Sequence, residues 1–426
     1  MKHNNIRWAA IQPLTGGMYL GAEEAIGHPA EFILSYKGLD VAKEKDGKLT
    51  SVANEYNLLE YLKKHNRCPK YYQFKKDMFD FDLINRTPEI YLKDTLETPN
   101  YDNLDIVVAV PVCSGLSMAT SGSSETKECR NNNMLFITNY TLNVIKPKCY
   151  IFENAPTLMG SRGEELRKQL EQIALDTKYS LLYYKTNTSL HENCQNRPRT
   201  FIIFTKHNKD KQKPCVFDFE DKHINVKDFF KSISDNLEQS EPIESSFHNY
   251  MLIDYINDKL GKNWKEVIIN SSLMKYIEDN KLFDDFLKFV FESDKYVQEN
   301  KDKVKKYIEH IKYKRSIGKN YYANDVCNYS GDFWPSVMFR SIRNMIHPFT
   351  NEICSIRDNL SLMGMPEDFI LYGDESNLPK IGQNVPVKTA KFIVEQAIKN
   401  LNKSELDNSC NCIYQDNIKG TIEIVA

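Results

Sequence analysis

Between Ile6 and Lys206 the chain alternates short apolar runs with amphipathic stretches, and this alternation narrows the possible folds more than any other feature. Short apolar runs between turn residues are typical of buried strands, and apolar residues spaced by three and four are typical of helices. The predicted strands are Ile6–Ile11, Glu31–Ser35, Asp105–Val110, Lys148–Phe152, Ser180–Tyr184 and Thr200–Thr205. The predicted helices among them are Met18–Ile26, Met134–Ile145 and Gly163–Asp176. The pattern therefore predicts a doubly wound α/β domain with a mostly parallel, Rossmann-like sheet.

The remaining sequence predicts a second, smaller module followed by a return to the first. A chain of 426 residues is too long for one compact core. We divide it into a first domain at 1–206, a second at 207–340 and a C-terminal segment at 341–426 that returns to the first domain. Helices are predicted in the second and third parts at Phe283–Phe291, Val304–Ile311, Arg357–Met363 and Val387–Leu401.

Composition excludes few functions but favours a cytoplasmic protein. The ten cysteines form no CxxC pair and no Cys/His group at zinc spacing, so we expect reduced thiols and no metal. No stretch approaches the roughly 20 apolar residues that span a bilayer, so we expect no membrane association. The net charge of −2 neither supports nor excludes nucleic acid, because an acidic run at 238–244 offsets a Lys-rich one at 301–319.

Two predicted strands end in side chains that can do chemistry. Asp105–Val110 runs through Pro111 into Cys113 and a loop rich in Ser and Gly, at the edge where such sheets bind ligands. A thiolate there is a nucleophile if a neighbour activates it, although a lone cysteine is more often simply buried. The next strand ends in Glu153, which is partly desolvated and can act as an acid, or else merely precedes a capping turn.

A third group of residues lies just before the last predicted strand. In Gln195-Asn-Arg197-Pro-Arg199 the two arginines stand at i and i+2, so an extended backbone presents them on one face. Paired guanidiniums can hold a phosphate or the edge of a base. A solvated basic turn is an equally good interpretation of this pair alone.

In order and spacing, these motifs resemble the DNA cytosine-C5 methyltransferase family, and the resemblance extends over nearly the whole chain. The segment from Thr15-Gly16-Gly17 to Gly27 resembles its glycine turn and first helix, and Pro111-Val-Cys113 its Pro-Cys motif. Phe152-Glu153-Asn154-Ala155 is similar to its Glu-Asn-Val motif, and Gln195-x-Arg197-x-Arg199 matches Gln-x-Arg-x-Arg in full. Near the end, Arg357–Phe369 and Ile381–Pro386 resemble the motifs that follow the target-recognition region.

The resemblance implies a reaction, a cofactor and residue roles. It implies transfer of a methyl group from S-adenosylmethionine to C5 of cytosine in double-stranded DNA, with the base flipped out of the helix. Catalysis would fall to Cys113 as nucleophile, Glu153 as acid, and Arg197 and Arg199 as supports of the base and its phosphate. The methyl donor would lie against Leu14, Thr15, Gly16, Gly17, Asn384 and Val385.

The resemblance also implies where DNA binds. The loop after Cys113 would close over the base through Ser114, Ser117, Ser121 and Gly122, and residues 207–340 would form the target-recognition domain. Within that domain, Tyr313–Tyr322 combines cations, a glycine and aromatics, and Lys314, Arg315 and Lys319 would contact DNA. A solvated end of a Lys-rich helix is the alternative for these three residues. We expect the chain to act as a monomer.

Several positions depart from the family pattern. The glycine turn lacks the usual aromatic and first glycine, Val112 and Ser114 flank the cysteine in place of Pro and Gln, and Gln383 follows Gly382 where Asn is usual. The second strand ends in Ser35-Tyr36-Lys37, without the acidic residue that normally holds the cofactor ribose. Two alternatives therefore stand beside the enzyme: a DNA-binding or regulatory relative with impaired catalysis, and a methyltransferase acting on tRNA cytosine.

Overall fold

A computed structural model describes most of the chain, and all structural statements below concern the residues it describes. These are residues 5–74, 99–111, 116, 133–206, 216–234, 237–244, 247–267, 273–317, 327–328, 332–337, 342–350, 352–401 and 412–424. The chain forms two compact units. The first comprises residues 1–224, 363–365 and 369–426, and the second residues 225–362 and 366–368.

Eleven strands of the described part are used below, numbered in chain order. They are β1 (Trp8–Ile11), β2 (Phe32–Tyr36), β3 (Ala42–Lys45), β4 (Lys48–Val52), β5 (Lys70–Phe74), β6 (Ile106–Ala109), β7 (Cys149–Asn154), β8 (Tyr179–Asn187), β9 (Pro198–Lys206), β10 (Cys412–Asp416) and β11 (Thr421–Ile424). The helices of the first unit are α1 (Gly17–Ile26), α2 (Tyr56–Lys64), α3 (133–140), α4 (Glu164–Thr177), and two near its end, Pro379–Gly382 and Val387–Leu401.

Nine of these strands, within the described residues, form one mixed sheet in the order β11-β10-β8-β9-β7-β6-β1-β2-β5. Most neighbours are parallel, whereas β9 is antiparallel to both β7 and β8. All residues of β1, β2, β6 and β7 are buried, which is why each reads as an apolar run in the sequence. The predicted α/β class with a mostly parallel sheet is confirmed.

The first unit brings the beginning and the end of the described chain together. Helix α1 packs against the helix Val387–Leu401, and two glycines on α1 allow the close approach. A methyl group added at Gly21 would lie 2.5 Å from the carbonyl oxygen of Val387 and 2.6 Å from Ala390 Cβ, well inside normal contact distances. The C-terminal helix is therefore a fixed neighbour of the glycine turn that begins α1.

The second unit is helical around its own apolar core. Its main helices are Val226–Lys231, Phe247–Asp254, Trp264–Val267, Leu273–Asp279, Phe283–Glu292, Asp294–Ser316 and Ile356–Leu362. In the long helix Asp294–Ser316, Val304, Ile308 and Ile311 are buried at helical spacing. The recognition role expected for residues 207–340 stays a prediction. No helix in the described part of the chain is long and apolar enough to cross a bilayer.

Candidate active site

Glu153 is a buried carboxylate near the end of β7 and is paired with an arginine. Its side chain is 5% exposed, and Oε1 lies 2.5 Å from Nε of Arg199. The two meet because Phe201 of β9 is opposite Glu153, and Arg199 lies two residues along the same face of β9. A guanidinium beside a desolvated carboxylate balances its charge and fixes its orientation.

Arg197 contacts a different part of the molecule. Its guanidinium is buried and donates from Nη2 to the carbonyl oxygens of Gly382, at 3.0 Å, and Asn384, at 2.9 Å. The expectation that both arginines present one face to one target is therefore corrected. Arg197 precedes the regular strand β9, and it holds the loop at 382–384 while Arg199 holds Glu153. A direct contact of either guanidinium with a base stays a prediction.

The six residues predicted to bind the methyl donor lie together. The backbone N–H of Gly17 donates to Oδ1 of Asn384 at 2.7 Å, and Thr15 Oγ1 donates to the carbonyl oxygen of Lys380 at 3.1 Å. A methyl group at Gly17 would overlap the carbonyl oxygen of Val385, so only glycine permits this packing. The turn and the loop of the last motif thus form one structure.

The backbone of this turn is in an unusual conformation. Gly16 has a φ of 106°, and Leu14 has a φ of 52° although it carries a branched side chain. Strained backbone of this kind persists where surrounding contacts enforce it, and it concentrates at ligand sites. The turn lies directly after β1, at the carboxyl edge of the sheet.

A buried carboxylate that the sequence pattern did not indicate lies beside the turn. Glu55 precedes α2 and is fully buried; Ser35 Oγ donates to it at 2.6 Å and the Tyr71 hydroxyl at 2.8 Å. The pKa of Glu55 is raised to about 7, mainly because burial disfavours the charged carboxylate; the nearby Asp40 acts in the same direction, whereas the bonds from Ser35 and Tyr71 act in the opposite direction. The only signal in the sequence was an acidic residue immediately before an amphipathic helix.

Several predicted site residues lie outside the described part of the chain. These are Cys113, Ser114, Ser117, Ser121, Gly122 and Lys319, and the side chains of Lys314 and Arg315, whose backbone belongs to the helix Asp294–Ser316. Their roles stay predictions. The described part of the chain continues past β6 to Pro111, which is two residues before Cys113. In β6, Ala109 pairs with Phe152 of β7, the residue directly before Glu153. Among the described residues, no group of three or more His, Cys, Asp or Glu side chains is arranged to hold a metal ion.

Solved structures with a similar fold are methyltransferases. A protein described as a DNA modification methyltransferase encoded within a prophage, from E. coli, is 16% identical, with a TM-score of 0.54 over 94% of this chain and all of that one. The Entamoeba histolytica methyltransferase EhMeth is 10% identical, with a TM-score of 0.51 over 93% of this chain and 99% of that one. A Spodoptera frugiperda DNMT2 mutant is 8% identical, with a TM-score of 0.50 over 92% of this chain and all of that one.

The sheet order and these similarities define the class of protein as an α/β fold shared with solved methyltransferases. No curated protein sequence matches the chain. The model of the C-5 cytosine-specific DNA methylases matches residues 42–399, and the chain belongs to that family. The resemblance drawn from the motifs is confirmed, and the family supports methyl transfer as the activity.

Proposed function

We propose that this protein transfers a methyl group from S-adenosylmethionine to C5 of cytosine in double-stranded DNA, through a covalent adduct with Cys113. The observation that carries the proposal is the Glu153–Arg199 pair, a buried carboxylate held in place on the strand adjacent to β6. Family membership supports the methyl transfer, whereas the nucleophile and the substrate rest on the motifs.

The residues supply what the chemistry of cytosine needs. C5 is a poor nucleophile until a group adds at C6, so the thiolate of Cys113 attacks C6 while Glu153 protonates N3. The electron pair of the C5–C6 double bond then becomes available at C5 and would form the bond to the methyl carbon while the bond from that carbon to the donor sulfur breaks. Solvent water takes the C5 proton, the N3 proton returns to Glu153, and expulsion of the Cys113 thiolate restores the double bond. Arg199 keeps the Glu153 carboxylate oriented during these steps.

We assign the methyl donor to the turn and the last-motif loop. Leu14, Thr15, Gly16, Gly17, Asn384 and Val385 would hold it, since their tight packing brings backbone groups to the carboxyl edge of the sheet. The donor supplies an electrophilic methyl group when bound. Arg197 stabilises the last-motif loop by donating hydrogen bonds to the carbonyl oxygens of Gly382 and Asn384.

Contacts with DNA would involve residues of the segment 207–340 and the loop after Cys113. We assign Lys314, Arg315 and Lys319 to contacts with DNA, and Ser114, Ser117, Ser121 and Gly122 to the loop that closes over a flipped cytosine. A stacked base cannot reach a buried carboxylate, so the burial of Glu153 supports base flipping.

The test uses a duplex containing 5-fluorocytosine, on which the C5 substituent cannot be lost and the adduct is trapped. With S-adenosylmethionine present, the wild type should form a complex that survives denaturing electrophoresis, and Cys113→Ala should form none. Cys68→Ala is the matched control because Cys68 is an exposed cysteine away from the motifs, and it should form the adduct normally. An adduct that persists in Cys113→Ala would refute the assignment.

Two further measurements separate the proposal from its alternatives. If the protein methylates tRNA and does not methylate duplex DNA, its substrate is RNA and the proposed DNA substrate is wrong. Duplex binding without calorimetrically detectable binding of S-adenosylmethionine would instead indicate a regulatory DNA-binding protein.

A further inference from the structure

The side chain of Thr157 connects the two segments that carry the proposed acid and the proposed nucleophile. Its hydroxyl donates to the carbonyl oxygen of Leu116 at 2.7 Å, across 41 positions of the chain. Thr157 follows Glu153 by four residues, and Leu116 follows Cys113 by three. One hydrogen bond therefore joins the end of the acid's strand to the loop of the nucleophile.

The donor side of this bond is held firmly. Thr157 belongs to a short 3₁₀-helix, Pro156–Met159, which begins two residues after the end of β7. Arg167 of α4 donates from Nη1 to the carbonyl oxygen of Leu158 and, at 2.9 Å, to that of Gly160. The side chain of Leu158 is fully buried. The Thr157 hydroxyl therefore extends from a backbone that is fixed on both sides of it.

The acceptor side is fixed as well. The side chain of Leu116 is 4% exposed and packs in the apolar core of the first unit. Leu116 and Pro111 are the described residues on either side of Cys113. Three residues of chain span at most roughly 11 Å, so fixing the backbone of Leu116 limits the positions that Cys113 can take.

We propose that Thr157 is a positioning residue that sets the place of Cys113 relative to Glu153; this rests on the proposed function. Addition of the thiolate at C6 and protonation at N3 occur on opposite sides of one pyrimidine ring. The two groups must therefore be held at a defined separation, and a misplacement of about 1 Å can lower a rate about a hundredfold. In this role Thr157 touches neither the base nor the methyl donor, and it acts through the backbone of Leu116.

The alternative is a structural hydrogen bond that contributes only to the stability of the first unit. In that case its loss would lower the free energy of unfolding and weaken the binding of duplex and cofactor together. A positioning role predicts a slower chemical step with unchanged binding, because the bond fixes the nucleophile and not the surfaces that bind the ligands.

The experiment measures single-turnover methylation of a duplex by Thr157→Val and by wild type, with S-adenosylmethionine in excess. Valine keeps the shape of threonine but lacks the hydroxyl, so the buried carbonyl group of Leu116 loses this donor. The rate constant of methyl transfer should fall roughly five- to a hundredfold. The Kd values for the duplex and for S-adenosylhomocysteine should not change. Thr157→Ser, which retains the hydroxyl, should recover most of the rate.

Thr177→Val is the matched control, because the Thr177 hydroxyl donates to the carbonyl oxygen of Ile173 at 2.6 Å, at the end of α4 distant from β7. It removes a bond of the same kind and should leave the rate constant unchanged. If Thr157→Val does not fold, Thr157→Ala should show the same loss of rate.

Two results would overturn the inference while the proposed function stands. One is a wild-type rate constant in Thr157→Val, and the other is an unaltered rate constant with weaker binding of both ligands, which would show a structural role. A wild-type protein that transfers no methyl group to the duplex would refute the proposed function itself, and the inference with it.

Discussion

Replacing Gly17 with alanine should disrupt the contact between the glycine turn and the last-motif loop. The added methyl would overlap the carbonyl oxygen of Val385 and lie 2.8 Å from Oδ1 of Asn384, the acceptor for the Gly17 N–H. Overpacking costs about 1–3 kcal/mol. Loss of a buried hydrogen bond adds about 1–3 kcal/mol. The higher helix propensity of alanine offsets about 1 kcal/mol of this destabilisation. The net destabilisation should therefore be roughly 1–5 kcal/mol, together with loss of S-adenosylhomocysteine binding.

Urea unfolding and titration calorimetry measure the two effects. For a unit of this size, the loss of stability corresponds to a fall in Tm of roughly 2–20 °C. Gly160→Ala is the matched control, since its added methyl would find only the carbonyl oxygen of Thr157 at 3.5 Å, an ordinary contact, and it should change stability by less than about 0.5 kcal/mol. If Gly17→Ala unfolds with the midpoint of wild type and binds the ligand normally, the packing argument is wrong.

Two more predictions concern buried charges. Arg199→Ala leaves the Glu153 carboxylate buried without its guanidinium, so it should cost about 3–5 kcal/mol in urea unfolding and abolish methyl transfer; activity near that of wild type would contradict the role of the pair. Because the pKa of Glu55 in the folded protein, about 7, exceeds its ordinary 4.5, wild type should lose stability as pH rises from about 4.5 to 7, by up to about 3 kcal/mol. The Glu55→Gln variant should not lose stability over this range. Equal slopes of the free energy of unfolding against pH for the two proteins would contradict the prediction.

Much of the central sheet could be predicted from the sequence, because its strands are buried on both faces. The predicted strand Asp105–Val110 differs from the observed Ile106–Ala109 by one residue at each end, and the helix Val387–Leu401 was predicted with its observed bounds. The predicted helix Met134–Ile145 is correct in place, although its last turn, Thr141–Ile145, is a π-helix. Such a local change in hydrogen bonding leaves the apolar pattern almost unaltered.

The elements that were not predicted are polar or short. Strands β3 and β4 are largely exposed, and β5, β10 and β11 carry charged and polar residues among their apolar ones. Whether each of these segments forms a strand depends more on pairing with its neighbouring strand than on its own sequence. The bond between Glu55 and Ser35 was hidden for the same reason, since a contact across 20 residues leaves no local pattern.

The contact between Gly17 and Asn384 has a consequence for biosynthesis. The two residues are separated by 367 positions, with the whole helical unit encoded between them. At typical rates of translation, about 5–20 residues per second, roughly 20–70 s pass between the emergence of the turn and that of its partner. During this time the nascent first helix lacks the surface that covers Gly17 and Gly21. Ribosome-bound chains that stop short of Asn384 should therefore expose that helix to chaperones, and assembly of the first unit should be completed only late in synthesis.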